Sequence, residues 1–483
     1  MKMLRIIDTT FRDGQQCLWA TRMSTPAMLP VASTLDQAGF SAIEVMGAVQ
    51  FDAAVRYLQE DPWERLRLLR QEIVHTPLQA VVRSSCVLGF EPQPDDLNEV
   101  WVEQLVENGC QRFVAFDGLH DLDNLTASMR RAKALGATTV GWLTYSISPV
   151  HTDELYAKKA KEFIEHVGVD ELMIEDASGV LTPERVRTLV PAIRAVIGKR
   201  RLGLHSHALA GLPQRTYLTA AELGVDNFYT CVPPVADGNA PPSVVTTLNN
   251  LRYEGFESHV DLESLQAVTE HLSAVAHRER RPIGRPMDYD APSCGHQVPG
   301  GVMSNLQAQL ANAGLTDKLP AVLEECTRVR ADLGWPIQVT PFAQFIGVQA
   351  TLNVMQGERY LTVPDEVKKY AFGYYGKLLS PVDPDVLDRI ENNGSSYIAR
   401  ERPTLEPVMP RLRERYPNLP DEQRLLRYFF DSSLVDPLKT DLKSMTGHKT
   451  TPLVELVREA CSRQHARRIS VQKDDIRLEL RRE

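Results

Sequence analysis

Two histidines one residue apart, His205 and His207, end a predicted strand in Arg201-Leu-Gly-Leu-His-Ser-His-Ala208. Residues i and i+2 of a β-strand point to the same face, so both imidazoles can reach one point. Imidazole is a frequent ligand of divalent metals. Asp13 adds a carboxylate in Asp8-Thr-Thr-Phe-Arg-Asp-Gly-Gln-Gln16, directly after the first apolar strand. One carboxylate and two imidazoles at strand ends predict a divalent-metal site.

The elements that would position these residues follow a regular order along the chain. Eight short, apolar, β-branched runs recur roughly every 30 to 35 residues, the spacing of a strand, a helix and two loops. They are residues 5–10, 42–46, 78–84, 112–117, 138–146, 171–176, 201–208 and 227–232. Eight such units predict an α/β protein with a (β/α)8 TIM barrel. The alternative, a doubly wound open sheet, would gather the polar residues at one switch point rather than at many strand ends.

The alternation of strands and helices stops after residue 285. Residues 304–356 and 365–378 have helical patterns, and the end of the chain is basic without an obvious core. We therefore predict a catalytic barrel domain over residues 1–285, a helical domain over 286–433 and a helical C-terminal tail over 434–483.

The composition narrows the class of protein. The net charge of −9 argues against nucleic-acid binding, because phosphate backbones attract basic surfaces. The seven cysteines are scattered without a Cys-x-x-Cys pair, which suits a reducing compartment. The first strand begins too early for a signal peptide, and no apolar run approaches the length of a membrane span. We expect a cytoplasmic protein with neither a nucleic-acid nor a membrane partner.

A longer motif brings in a family resemblance. Asp8-Thr-Thr-Phe-Arg-Asp-Gly-Gln-Gln-Cys-Leu-Trp-Ala-Thr-Arg22 resembles the opening of the carboxyltransferase domain of pyruvate carboxylase, of the oxaloacetate decarboxylase alpha subunit and of the transcarboxylase large subunit. Later motifs of the family follow in order, among them Asp176-Ala-Ser-Gly-Val-Leu-Thr-Pro183, Leu204-His-Ser-His207, His296-Gln-Val-Pro-Gly-Gly301 and Val339-Thr-Pro341. The resemblance covers residues 4–433.

The resemblance implies a divalent metal (zinc, manganese or cobalt) at the barrel mouth, held by Asp13, His205 and His207. It also implies that Gln16 and Arg83 hold the carboxylate and keto oxygen of pyruvate. The chemistry of the residues agrees, because an enolate needs a Lewis acid or hydrogen-bond donors at its oxygen. A guanidinium suits the carboxylate, since its planar fork binds both oxygens.

Arg12 directly precedes Asp13 in the first motif, and Glu44 lies on the second predicted strand. We predict that Arg12 takes part in catalysis. Glu44 is expected to orient it through a salt bridge rather than to act on the substrate.

Two positions, Glu175 and Asn239, depart from the pattern of the family: the resemblance implies a lysine at the first and a proton-shuttling threonine at the second. The resemblance implies a carbamylated lysine on the metal, and Glu175 occupies that position. We expect a glutamate to be a permanent carboxylate at neutral pH that needs no CO2 to form, and we predict a catalytic role for Glu175. Gly238-Asn239 is similar to a pair in the hydroxymethylglutaryl-CoA lyases, DRE-TIM metallolyases in which the asparagine joins an aspartate and two histidines on the metal. Asn239 is therefore a predicted fourth ligand, with a turn-capping asparagine as the alternative.

These residues predict a metalloenzyme that decarboxylates a small 2-oxo acid, or transfers a carboxyl group to or from it, through an enolate. No Met-Lys-Met attachment motif lies near the C-terminus, so we predict no covalently attached biotin and an activity independent of biotin. One alternative is a biotin-dependent subunit served by a separate biotin-carrier protein. Others are an aldol- or Claisen-type C–C lyase or synthase and, least favoured, a degenerate structural subunit. A homodimer is expected.

Overall fold

The computed structural model describes residues 2–312, 314–393, 396–444, 456–457, 460, 468–473 and 476–481. Parallel strands in the order β2-β3-β4-β5-β6-β7-β8-β1 form a sheet that closes through pairing of β1 with β2. The strands are β1 Lys2–Asp8, β2 Ala42–Met46, β3 Leu78–Arg83, β4 Cys110–Phe116, β5 Thr138–Thr144, β6 Glu171–Asp176, β7 Leu202–Ser206 and β8 Asn227–Thr230. Closure confirms the predicted barrel and removes the open-sheet alternative.

Helices surround the barrel. They are α1 Gln15–Leu18, α2 Thr25–Gln37, α3 Ala48–Ala53, α4 Pro62–Glu72, α5 Asp95–Glu107, α6 Asp123–Ala134, α7 Asp153–Glu162, α8 Pro183–Ile197, α9 Pro213–Glu222, α10 Val244–Tyr253 and α11 Leu262–Glu279. Local sequence determines where these helices begin. In α8, Thr182 is the N-cap: its side chain accepts a hydrogen bond from the Arg185 backbone amide, and Pro183 follows as the first helical residue. A short strand, β9 Phe256–Ser258, pairs with the first residues of β1.

The barrel interior is packed rather than open. The strands are largely apolar because helices cover the outside and side chains fill the inside. The interior cluster comprises Ile7, Ala42, Val81, Val114, Val140, Trp142, Met173 and Tyr229. Barrel enzymes place their chemistry at the carboxyl ends of the strands, beyond such a packed interior.

A helical region follows the barrel. Its helices are α12 Ser293–His296, α13 Gly300–Asn312, α14 Leu319–Asp332, α15 Phe342–Gln356, α16 Asp365–Ala371 and α17 Pro384–Asn393. Helices α13 to α17 share a hydrophobic core separate from that of the barrel, whereas Cys294 of α12 packs against the barrel's core. The change from the barrel pattern to helices alone falls between Glu279 and Ser293, and the boundary at residue 285 stays a prediction.

The segment after this region returns to the barrel. It contains α18 Met409–Arg415, α19 Asp421–Phe429 and α20 Ser432–Val435. Phe430 lies 6.4 Å from Phe51, ring centre to ring centre, and Phe51 lies 4.8 Å from Trp63 in the barrel's outer core. The prediction of one helical domain over 286–433 therefore joined two units, since apolar faces on short helices do not reveal which core they cover.

The predicted helical tail is wrong for part of its length. Strands β10 Arg468–Lys473 and β11 Ile476–Arg481 form an antiparallel hairpin, and only residues 456, 457 and 460 of the described tail beyond residue 444 are helical. Apolar and polar residues alternate in both strands, and this period of two favours a strand. Among the residues described, no helix is both long and apolar enough to span a bilayer.

Candidate active site

Three side-chain atoms converge at the carboxyl ends of β1 and β7. Asp13 Oδ2 lies 2.9 Å from His205 Nε2 and 3.2 Å from His207 Nε2, and the two nitrogens are 3.2 Å apart. All three residues are buried. Tetrahedral coordination at about 2.0–2.1 Å separates its ligands by about 3.3 Å, so this triangle fits a zinc-sized divalent cation.

The backbone after β1 presents Asp13 to the two histidines. Residues Thr10–Gly14 form a single π-helical turn, and the Asp13 amide donates to the backbone oxygen of Thr9 at 2.8 Å. A β-carbon at Gly14 would lie 2.4 Å from the Val235 carbonyl oxygen, so only glycine allows this close approach. Such single π-turns are frequent at functional sites.

A hydrogen bond on the side of the His207 ring away from the triangle fixes the orientation of the imidazole. Its Nδ1 donates to the backbone carbonyl of Asn239 at 2.8 Å, which leaves the Nε2 lone pair directed at the triangle. Asn239 thus contacts the site through its backbone, while its side chain lies against Gly300: a β-carbon built there would be 2.8 Å from Asn239 Cγ. Coordination by the Asn239 side chain stays a prediction.

Charges around the triangle favour an ionised Asp13. Burial alone would raise the pKa of Asp13, but the charge of Arg12 holds it well below its ordinary value. Burial opposes protonation of His207, but the Asp13 charge raises the pKa of His207 well above its ordinary value, so a bound cation would displace a proton from this imidazole. Burial lowers the pKa of His205, which keeps that imidazole neutral and its lone pair available.

Arg12 is paired on one side and open on the other. Its Nη1 lies 3.0 Å from Asp13 Oδ1, and its Nε donates to Glu44 Oε1. Glu44 also accepts hydrogen bonds from Thr9 at 2.8 Å and from Gln79 at 2.5 Å. The predicted salt bridge between Glu44 and Arg12 is present, and the role of Glu44 in orienting Arg12 stays a prediction. Arg12 Nη2 is buried and has no partner among the described residues, so it remains a donor for another group.

Arg83, the last residue of β3, is a buried cation that makes no ion pair among the described residues. Only 6% of it is exposed. Its Nη2 donates to the Gly89 carbonyl oxygen, and its guanidinium lies 5.6 Å from the Phe90 ring centre. In the described part of the chain no carboxylate pairs with it, Nε has no partner, and burial lowers its pKa. A buried, unpaired guanidinium is costly, and an anionic ligand would relieve that cost.

The Gln16 side chain is held in place by a residue that the sequence analysis missed. Gln50 Nε2, from α3, donates both to Gln16 Oε1 and to the Arg12 carbonyl, each at 2.9 Å. Gln50 thereby links two predicted site residues. Its sequence signal is only its place shortly after β2, at the same barrel end as Asp13.

Glu175 neighbours the triangle without joining it. It is aligned with His205 across β6 and β7, and its Oε2 is buried without a partner in the described residues. The converging trio does not include it. Burial raises the pKa of Glu175 to about 8, which corrects the expectation of a carboxylate that is always ionised. A nearby cation would be needed to keep it ionised at neutral pH.

Cys17 lies closer to the histidines than the sequence suggests. Its Sγ is 3.4 Å from Asp13 Oδ1 and 3.8 Å from His207 Nδ1. Burial raises its pKa to about 11, so it is a thiol that donates to Asp13 rather than a nucleophilic thiolate.

Comparisons with known proteins agree with this architecture. A family model for the conserved carboxylase domain matches residues 294–445. The chain is 41% identical over 399 residues to a pyruvate carboxylase subunit of Methanocaldococcus jannaschii, an alignment covering 82% of this chain and 70% of that protein. It is 35% identical over 394 residues to the 2-oxoglutarate carboxylase large subunit of Hydrogenobacter thermophilus, with 81% and 60% covered.

A solved structure shares the fold. The carboxyl transferase domain from Rhizobium etli pyruvate carboxylase, with pyruvate and biocytin, has a TM-score of 0.80 at 24% identity, covering 92% of this chain and 78% of that one. This structure shows the fold, and the two relatives confirm the family resemblance of the motifs. The chain belongs to the carboxyltransferase enzymes of the pyruvate carboxylase and transcarboxylase family, which have a DRE-TIM metallolyase barrel.

Proposed function

We propose that this protein transfers a carboxyl group to or from a small 2-oxo acid of the pyruvate type, through an enolate. Asp13, His205 and His207 would hold a divalent zinc, manganese or cobalt ion. When bound, the metal supplies a Lewis acid for the developing enolate oxygen. The observation that carries the proposal is the convergence of three donor atoms, 2.9 to 3.2 Å apart, at the barrel end that also buries an unpaired arginine.

The 2-oxo acid is assigned from the charges of the site. Arg83 supplies a buried cation for a carboxylate, and its planar fork can donate to both oxygens. Arg12 Nη2, which has no hydrogen-bond partner in the described residues, is a donor for the keto oxygen. Gln16 Nε2 is a second donor, on a side chain whose oxygen accepts from Gln50. The two relatives named above carry pyruvate and 2-oxoglutarate in their names, and both compounds are 2-oxo acids.

The carboxyl group would come from a separate biotin-carrier protein. Both relatives are named as subunits, and the solved relative holds biocytin, the lysine-linked form of biotin. The predicted independence from biotin finds no support in these comparisons. A homodimer stays a prediction.

A second candidate is decarboxylation of a 2-oxo diacid without a carrier. Glu175 favours it, because the resemblance implies a carbamylated lysine at this position and Glu175 needs no CO2 to supply a carboxyl group. Asn239, in the Gly-Asn pair similar to the lyases, keeps the C–C lyase alternative open.

Turnover of oxaloacetate by the metal-loaded protein separates these functions. Pyruvate and CO2 release are followed with and without a biotinylated carrier protein, with and without avidin, and in CO2-free buffer. Dependence on the carrier, abolished by avidin, supports carboxyl transfer. Equal turnover in all conditions supports the carrier-free reaction. Condensation or cleavage products without CO2 release would favour the lyase, and inactivity toward every 2-oxo acid tested would contradict the proposal.

A further inference from the structure

The first turn of α13 touches the loop that holds His207. Gly300 is buried, and a β-carbon there would lie 2.7 Å from Asn239 Cβ and 2.8 Å from Asn239 Cγ. Real β-carbons are essentially never that close to another heavy atom. The carbonyl of the same Asn239 accepts the hydrogen bond from His207 Nδ1 at 2.8 Å. A residue of the helical region is thus one contact away from the group that orients a predicted metal ligand.

The segment leading into α13 is pinned to the barrel by Gln297. Gln297 Oε1 accepts a hydrogen bond from the Ile147 backbone N–H at 2.9 Å, and Gln297 Nε2 donates to the Ile147 carbonyl at 2.8 Å. The side chain therefore pairs with both backbone groups of Ile147. Ser178 Oγ donates to the Gln297 carbonyl at 2.6 Å. Ile147 follows β5 and Ser178 follows β6. These bonds hold the start of α13 over the barrel mouth, so it cannot easily move away from Asn239.

We propose that Gly300 is a positioning residue for the metal site: by leaving room for Asn239, it lets the Asn239 carbonyl hold His207 with Nε2 toward the metal. The helical region would thereby complete a site whose ligands all lie on the barrel. This inference rests on the proposed function only in taking His207 as a metal ligand.

A methyl group at position 300 would push the Asn239 loop and its carbonyl away from His207 Nδ1. The loss of such an outer partner of a ligating histidine typically lowers metal affinity by about 10–100-fold. A methyl group at the next position meets nothing, because no atom lies within 4 Å of a β-carbon at Gly301. Both glycines begin the same helix, so both alanine variants gain similarly in helix propensity. Gly301→Ala is therefore a matched control for Gly300→Ala.

The experiment titrates cobalt into the full-length, metal-stripped protein and follows visible absorption of the bound ion, a measurement that needs no turnover. Gly300→Ala should bind cobalt about 10–100-fold more weakly than wild type, and Gly301→Ala should match wild type. The band shape should also change in Gly300→Ala, since a reoriented imidazole alters the ligand field. Equal affinities in both alanine variants would overturn the inference.

A double variant tests the cause. Asn239→Gly removes the atoms that a methyl group would strike while keeping the carbonyl. Adding Gly300→Ala to Asn239→Gly should therefore change cobalt affinity by less than about 3-fold; a further loss as large as in the single variant would overturn the inference.

Should Gly300→Ala fail to fold, Gln297→Ala replaces it, because it releases the start of α13 from the barrel. Weaker cobalt binding is then expected, and unchanged binding would contradict the inference. A wild-type protein that binds no cobalt would instead refute the proposed metal site, and this inference with it.

Discussion

The two ends of the barrel differ in how completely they pair their buried charges. At the amino-terminal end, Glu171 accepts from Arg112 at 2.7 Å, from Arg201 at 2.9 Å and from Asn227 at 3.1 Å, so its oxygens are fully paired. At the carboxyl end, Arg12 is paired with Asp13 and Glu44, but Arg83 lies buried without an ion pair among the described residues. Since native proteins satisfy nearly all buried polar groups, unpaired ones indicate where a ligand completes the arrangement. The paired network is therefore expected to stabilise the fold, and the unpaired Arg83 to serve a ligand.

The strongest test of this contrast removes the paired carboxylate. Glu171→Gln leaves Arg112 buried without its counter-charge, which should cost about 3–5 kcal/mol in free energy of unfolding. The kcat/KM of the enzyme should stay within about 2-fold, because Glu171 is at the opposite end of the barrel from the substrate. Urea unfolding and initial rates measure the two effects. As a control, Glu165→Gln removes an exposed partner of Lys161 and should change stability by less than about 1 kcal/mol.

Lowering the pH should weaken the ion pairs of Glu171 and so reduce the free energy of unfolding. Burial alone would raise the pKa of Glu171, but hydrogen bonds and charge from Arg112 and Arg201 lower it to about 2, against 4.5 for an ordinary glutamate. The carboxylate therefore adds stability above about pH 4.5, and that contribution, about 3 kcal/mol, is lost as the pH falls toward 2. Unfolding free energies of wild type and Glu171→Gln should converge over this range. Parallel curves would contradict the assignment.

Removal of a predicted metal ligand should lower activity without lowering stability, the opposite of what is expected for Glu171→Gln. His207→Ala should lose bound metal together with more than about 100-fold of activity, because loss of even an outer partner of a ligand costs about 10–100-fold. The melting temperature of the metal-free protein should change little, since His207 follows the end of β7. Elemental analysis and rates on the same preparation decide the outcome. Full metal content in the variant would show that the metal is bound elsewhere.

The smallest effect is expected at the unpaired arginine. Arg83→Lys keeps the charge but loses the planar fork that binds two oxygens. The variant should therefore lose about 1–3 kcal/mol of transition-state stabilisation, measured as a lower kcat/KM. Stability should change little, because lysine keeps the charge and Arg83 makes no ion pair among the described residues that could be lost. An unchanged kcat/KM would remove Arg83 from the substrate site, and a large loss of stability would show that it serves the fold instead.

The sequence predicted the elements better than their contacts. The barrel followed from apolar runs at regular spacing, and the trio of Asp13, His205 and His207 from motifs at strand ends. Gln50 and Gly300 were missed because their contacts join segments far apart in sequence. Glu175 lies in the strand predicted over 171–176, yet its raised pKa depends on a burial that no local pattern shows. The tail was predicted helical although it alternates with the period of a strand over 468–473 and 476–481.

The return of residues 409–442 to the barrel makes the helical region an insertion within the chain. Helices from Ser293 to Asn393 are bracketed on both sides by segments that belong to the barrel's core. One proteolytic cut, in either connection, would leave the two pieces joined by Phe430 against Phe51 and by Trp63 Nε1 donating to the Glu422 carbonyl. Expression of residues 1–285 alone would uncover that aromatic surface. During synthesis, the barrel's outer core is incomplete until the ribosome has passed beyond residue 442.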